Sequence, residues 1–118
     1  LSVYVGDMFE LTTDIAGTFD AVWDRAALIA LNPADRVRYA PHVLSFLNKG
    51  SPVLLSALLY DQQKMSGPPF SVNDDEIHRL YAACQSLEKL QSKNVTSRNP
   101  MFIEAGLDAV TEHIWLIK

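Results

Sequence analysis

The chain has 118 residues, enough for one small domain and too few for two. Fourteen acidic residues against ten Lys and Arg give a net charge of −4, which argues against non-specific nucleic-acid binding by phosphate neutralisation. The single cysteine, Cys84, excludes an internal disulfide framework and a cysteine-rich zinc site, and the longest apolar run, Ala26 to Leu31, falls far short of the roughly 20 residues that a membrane helix needs. No basic, apolar leader opens the sequence, so a reducing, soluble, cytoplasmic setting is the expectation.

Leu1-Ser2-Val3-Tyr4-Val5 alternates and is β-branched, and Gly6-Asp7 follows, so this segment reads as a strand ending in a tight turn. Glu10 to Gly17 reads as a loop or a broken short helix. Phe19 to Trp23 is a second strand candidate, ending at Asp24-Arg25. Asn32-Pro33-Ala34-Asp35 then has the chemistry of a helix start. Asn caps free N–H groups, Pro suits the first turn and Asp favours the positive end of the dipole. Val37, Ala40, Val43, Leu44 and Leu47 follow at helical spacing, and Asn48-Lys49-Gly50 is the expected stop.

Pro52 to Tyr60 is nearly continuous in apolar residues and suits a strand buried on both faces. Lys64 to Ser71 reads as a loop with a stiff centre, Gly67-Pro68-Pro69-Phe70. Asn73 with Glu76 opens another helix, whose apolar face is Ile77, Leu80, Tyr81 and Cys84. Leu87 to Val95 reads as a strand, Thr96 to Phe102 as a loop, and Ala109 to Ile117 as the last strand. Helices between apolar strands predict an α/β sheet, mostly parallel, closed by an antiparallel hairpin. Ligands bind such sheets beyond the carboxyl ends of the strands, where Asp7, Asp24-Arg25 and Asp61 fall.

Trp23-Asp24-Arg25-Ala26-Ala27-Leu28-Ile29-Ala30-Leu31-Asn32-Pro33-Ala34-Asp35-Arg36 resembles a long signature of the thiopurine S-methyltransferase family. The upstream Gly6-Asp7-Met8-Phe9-Glu10-Leu11 and the downstream Gly67-Pro68-Pro69-Phe70 are similar to the same family, in the same order. The resemblance implies the C-terminal part of a Rossmann-like class I S-adenosylmethionine-dependent methyltransferase. None of the five glycines forms Gly-x-Gly, so the glycine-rich cofactor half is expected to precede Leu1. As a fragment, residues 1–118 are expected to be inactive and poorly stable alone. The full protein is expected to be a monomer acting on small aromatic or heterocyclic thiols, with selenium and tellurium compounds as further acceptors. No metal, nucleic-acid or membrane partner is implied. A related thiol or halide methyltransferase and a non-catalytic scaffold of the same fold are the alternatives.

The resemblance also implies roles for single residues. Asp7 and Met8 would lie against the adenine of S-adenosylmethionine; local chemistry alone favours an Asp7 that stabilises its own turn. Arg25 would sit where cofactor and acceptor meet and clamp a carboxylate, its alternative being a salt bridge to Asp24 or Asp61. Asp24 is expected to orient the loop. Pro68, Pro69 and Phe70 would form a stiff lip along the acceptor pocket or, on local sequence alone, a plain turn. Arg98 would be a second substrate-facing Arg or an exposed loop residue. His42, His78 and His113 have no metal spacing, and Cys84 reads as a buried thiol.

Overall fold

Asn32 begins its helix as its chemistry requires. In the computed structural model, which describes residues 1–118, the Asn32 side chain accepts a hydrogen bond from the Asp35 amide and Pro33 opens helix α2 (Pro33–Leu44). Asn73 does the same for α3 (Asp74–Leu80), accepting from the Glu76 amide. Ahead of α2 lie a 3-10 turn at Met8–Glu10, the short helix α1 (Thr13–Ala16), strand β1 (Val22–Asp24) and a second 3-10 turn at Leu28–Ala30. Strands β2 (Val53–Leu59), β3 (Leu87–Asn94) and β4 (Thr111–Ile117) complete a four-stranded sheet in the order β1-β2-β4-β3.

The sheet is mixed. β1 pairs parallel with β2, while β4 lies antiparallel to both β2 and β3. β1, β2 and β3 therefore run in one direction and β4 alone opposes them, so the strands are mostly parallel, and β3 with β4 forms the expected closing antiparallel pair. β4 inserts between β2 and β3 instead of adding outside them, so β1 and β2 make the one direct parallel pairing. β2 is central and buried on both faces, with Val53, Leu55 and Ala57 on one side and Ser56 and Leu58 on the other. His113, Trp115 and Ile117 of β4 are buried on the first of these faces, opposite Ala57, Leu55 and Val53. There α3 covers the sheet, and the His78 ring meets Trp115 edge-on with centroids 5.5 Å apart.

Several expectations are corrected. Leu1 to Val5 is not a strand: it pairs with no other strand of this chain, and Leu1, Val3 and Val5 are exposed. Phe19 makes only an isolated bridge to Leu47, so β1 starts at Val22 and runs on to Asp24. α2 stops at Leu44, short of Gly50, and Ser45 closes it by donating its hydroxyl to the His42 carbonyl. Its buried face is Arg36, Tyr39, Ala40 and Val43, while Val37 is exposed. Cys84 follows the end of α3 in a turn and is half-buried.

Thr96 to Phe102 is not a loop. A 3-10 turn at Thr96–Arg98 leads into helix α4 (Pro100–Glu104), which the Asn99 side chain caps at the Met101 amide. No helix is long and apolar enough to cross a membrane.

Candidate functional site

The polar residues at the carboxyl end of β1 are held from beneath. Asp24, the last residue of β1, is 3% exposed. Its Oδ1 accepts from the Ala27 and Leu28 amides at 3.1 and 3.3 Å, and Oδ2 accepts from the Tyr39 hydroxyl at 2.7 Å. Burial, then the adjacent Asp24 charge, pushes the Tyr39 hydroxyl well above the ordinary tyrosine range, so it stays a donor. Asp24 thus orients the loop, as its sequence position suggested. That loop presents Arg25 exposed, with no hydrogen bond or ion pair to Asp24, to Asp61 or to any other group.

The same loop carries the lip. The Phe70 amide donates to the Ile29 carbonyl at 2.7 Å, so Gly67 to Phe70 is seated against the turn that follows Arg25. From the strand side, the Tyr60 hydroxyl donates to the Pro69 carbonyl at 2.6 Å and the Ser71 amide donates to Gln62 Oε1 at 2.9 Å. Gly67 has φ of +88°, and a Cβ there would fall 2.6 Å from Phe70 Cδ1. Glycine is therefore required both for the turn and for the approach of the ring. Pro68 is exposed, and Pro69 and Phe70 are half-buried.

Arg98 comes to the same end of the sheet from the other direction. Its fork meets Glu112 of β4 at 3.1 and 3.3 Å, and Ser56 of β2 donates to the same carboxylate at 2.7 Å. Burial pushes the Glu112 carboxyl up, but hydrogen bonds from Arg98 and Ser56 and the charges of Arg98 and Arg25 outweigh it. The net position is below the ordinary carboxylate range. Glu112 is thus paired with Arg98 alone, and Arg25 acts on it only at a distance, through its charge.

Asp7 and Met8 form a separate group. The Asp7 carboxylate accepts from the Phe9 amide at 2.9 Å, the local turn that its sequence allowed, and its second oxygen has no partner. His42 Nε2 lies 2.8 Å from the Met8 carbonyl, and Arg38 covers the Phe9 ring at 3.9 Å, so α2 tethers this segment. Met8, Tyr4 and Trp23 line an apolar cavity of about 330 Å³ with Tyr39. No hydrogen bond or ion pair joins this group to Arg25 or to the lip.

A residue that the sequence reading missed is Arg36, which lies buried against Phe70 and Glu76. Its helical spacing from Tyr39, Ala40 and Val43 was the available signal, masked by its charge. Ser56 and Glu112 were missed as well, and no spacing links them. The His side chains pack and tie distant segments together: His42 meets the Met8 carbonyl and the Phe46 ring, His78 meets Trp115, and His113 Nδ1 lies 2.8 Å from the Ser92 hydroxyl. Burial pushes the Cys84 thiol up, which keeps it protonated and unreactive. No group of three or more His, Cys, Asp or Glu is placed to hold a metal ion.

A sequence profile described as Thiopurine S-methyltransferase (TPMT) matches residues 1–118. The chain belongs to the thiopurine S-methyltransferase family. It is 44% identical over 107 residues to a protein of Bordetella petrii with that name, covering 91% of this chain and 49% of the relative. It is 42% identical to its namesake from Xanthobacter autotrophicus and 36% identical to that from Methylococcus capsulatus. In each case the match takes in all of this chain and 53% of the relative. The chain thus spans about half the length of the curated thiopurine S-methyltransferases it matches.

Proposed function

We propose that the full-length protein transfers a methyl group from S-adenosylmethionine to the sulfur of a small aromatic or heterocyclic thiol. The observation that carries this reading is Arg25. It is an exposed cation with no partner, at the carboxyl end of a parallel strand, on a loop fixed by the buried Asp24 and bonded to the Pro-Pro-Phe lip. The mixed sheet with its closing hairpin fits a Rossmann-like, class I arrangement whose glycine-rich half belongs to the unmatched length of the relatives. On this reading further strands cover the free edge of β1 and the segment Leu1 to Val5.

The side chains present suit the co-substrate. Asp7 keeps one carboxylate oxygen free to accept from an amine, Met8 offers an apolar surface beside it, and Arg25 offers an open fork for a carboxylate. S-adenosylmethionine supplies an electrophilic methyl group on a sulfonium. The chain's own contribution is position and field. The lip of Pro68, Pro69 and Phe70 orients a flat acceptor and excludes water from one side. With Arg98 paired to Glu112, Arg25 is left as the one unpaired positive charge, which lowers the pKa of an acceptor thiol and favours the thiolate. The displacement then needs neither a protein nucleophile nor a metal. The protein is proposed to act as a cytoplasmic monomer.

Calorimetry of the full-length protein with S-adenosylmethionine, followed by methyl-transfer assays on aromatic thiols, iodide and selenite, tests the reading. Binding with turnover of aromatic thiols is the expected result. Heat without turnover of any acceptor would refute the proposed reaction, and turnover of iodide in preference to thiols would move the protein to a halide acceptor. Absence of binding at saturating ligand would leave a scaffold.

A further inference from the structure

Arg36 is a charged side chain in the middle of the core. It stands on the first turn of α2, is 3% exposed, and has a fully enclosed Nη1 that meets no acceptor. Its Nε lies 3.0 Å from Glu76 Oε2 on α3, an ion pair whose N–H is not aimed along the contact. Its guanidinium carbon lies 5.7 Å from the centroid of the Phe70 ring. One side chain therefore joins α2, α3 and the lip.

Burying a guanidinium is costly even when it is paired, and an apolar side chain of similar length would pack α2 on α3 without that cost. What an apolar chain cannot do is hold an aromatic ring by its face with a flat, delocalised cation. The backbone of the lip is fixed elsewhere, by the Phe70 amide on Ile29 and by the Tyr60 hydroxyl on Pro69. The ring itself rests on Gly67, with Arg36 nearby. The position of the ring and the position of the Gly67–Pro69 turn are thus coupled, and Arg36 stands behind both.

We propose that Arg36 is a positioning residue that fixes Phe70, and through it the lip, and so sets the cleft for flat aromatic acceptors. The part concerning acceptors rests on the proposed function; the part concerning the lip does not. The test uses the full-length protein with Arg36→Lys, which keeps the charge and loses the flat fork, and Arg36→Met, which keeps length alone. Amide hydrogen exchange at Phe70 and Ser71 is compared with exchange along β2. Both variants are expected to speed exchange at Phe70 and Ser71 by about tenfold while β2 keeps its protection, the pattern of a local opening.

The KM for a flat aromatic thiol is expected to rise by roughly three- to tenfold, with the KM for S-adenosylmethionine within about twofold of its starting value. Unchanged exchange at Phe70 would overturn the proposal, as would a uniform loss of protection that makes Arg36 an ordinary core residue. Local loosening with a wild-type protein that methylates no thiol would uphold the lip assignment and refute the acceptor role. Should both variants fail to fold, Glu76→Gln removes only the facing anion. It is expected to give the same local pattern in weaker form, and its absence would overturn the proposal.

Discussion

Removing the Asp24 carboxylate tests how β1 holds the loop that carries Arg25. Asp24→Ala deletes the acceptor of three donors: the Ala27 amide, the Leu28 amide and the Tyr39 hydroxyl. Ala27 is exposed and water replaces its bond, but Leu28 and Tyr39 are buried. Each orphaned buried donor costs about 1–3 kcal/mol, so the variant is expected to lose about 2–6 kcal/mol. Asp24→Asn keeps Oδ1 for both amides but sets an amide donor against the Tyr39 hydroxyl, which must then accept and leave its own buried proton without a partner, so the expected cost is about 1–3 kcal/mol. Tyr39→Phe removes the third donor, and the double variant is expected to show about 1–2 kcal/mol of coupling. Urea denaturation of the full-length protein at constant m-value measures all three. Tyr39 adds a check on sign. Its folded pKa lies above the ordinary value of 10.0, so the unfolded chain ionises first and stability falls as pH rises beyond that value. Tyr39→Phe should flatten this alkaline loss. A cost below about 1 kcal/mol for Asp24→Ala, with no coupling to Tyr39, would show that the loop is held by something other than this carboxylate.

Arg25→Ala is expected to lower kcat/KM of the full-length protein by the equivalent of about 1–3 kcal/mol, the range for losing a charged hydrogen bond, with unfolding unchanged within about 0.5 kcal/mol. Unchanged kinetics would remove Arg25 from the site. Gly67→Ala places a Cβ at a φ of +88° and 2.6 Å from Phe70 Cδ1. Backbone strain of about 1–3 kcal/mol is expected in thermal unfolding, together with a raised KM for aromatic acceptors; a neutral result on both would mean that the lip gives way freely.

The helix starts were legible because capping is local chemistry. Asn32 and Asn73 each bond an amide three residues on, and the sequence displays both partners. Asn99-Pro100 carries the same signal, but the preference of the residue before proline for extended backbone makes it read as a loop. That preference applies to the cap itself, where an extended Asn99 is what starts α4. Leu1 to Val5 fails in the opposite way. Alternation describes a chain ready to pair, and pairing needs a neighbour that these residues do not contain. The place of β4 between β2 and β3 was likewise beyond reach, since periodicity marks a strand without naming its partners. On α2 the true inner face begins with Arg36 and Tyr39. The apolar pattern does not mark it, because each buries a polar group whose partner, Glu76 or Asp24, lies elsewhere in the chain. The site divides along the same line. Motifs point to Arg25, Pro68 and Pro69 and the resemblance alone to Arg98, whereas the carboxylate shared by Ser56 and Arg98 joins residues 56 and 14 positions apart.

Glu112→Gln separates two uses of Arg98. The carboxylate is anchored by Ser56 on the central strand and grips both terminal nitrogens of Arg98. Its folded pKa is depressed, so its stabilising contribution is complete above the ordinary carboxylate range and disappears as pH falls through the lowered value. Arg98 is 44% exposed, and solvent screening keeps this contribution to about 1 kcal/mol. Glu112→Gln should therefore flatten acid unfolding below about pH 4.5 and cost little at neutral pH. Activity should respond more strongly. On the proposed reading Glu112 is the post that presents Arg98 to the acceptor, so freeing the side chain should lower kcat/KM for an aromatic thiol by about three- to thirtyfold. Removing the anion also raises the local charge from one positive to two, which should draw the acid limb of the rate profile to lower pH as the bound thiol ionises more readily. A lower rate with an unmoved pH profile would confine Glu112 to placement. A rate that rises would mean that the carboxylate restrains Arg98 from the acceptor, and the assignment of the post would be wrong.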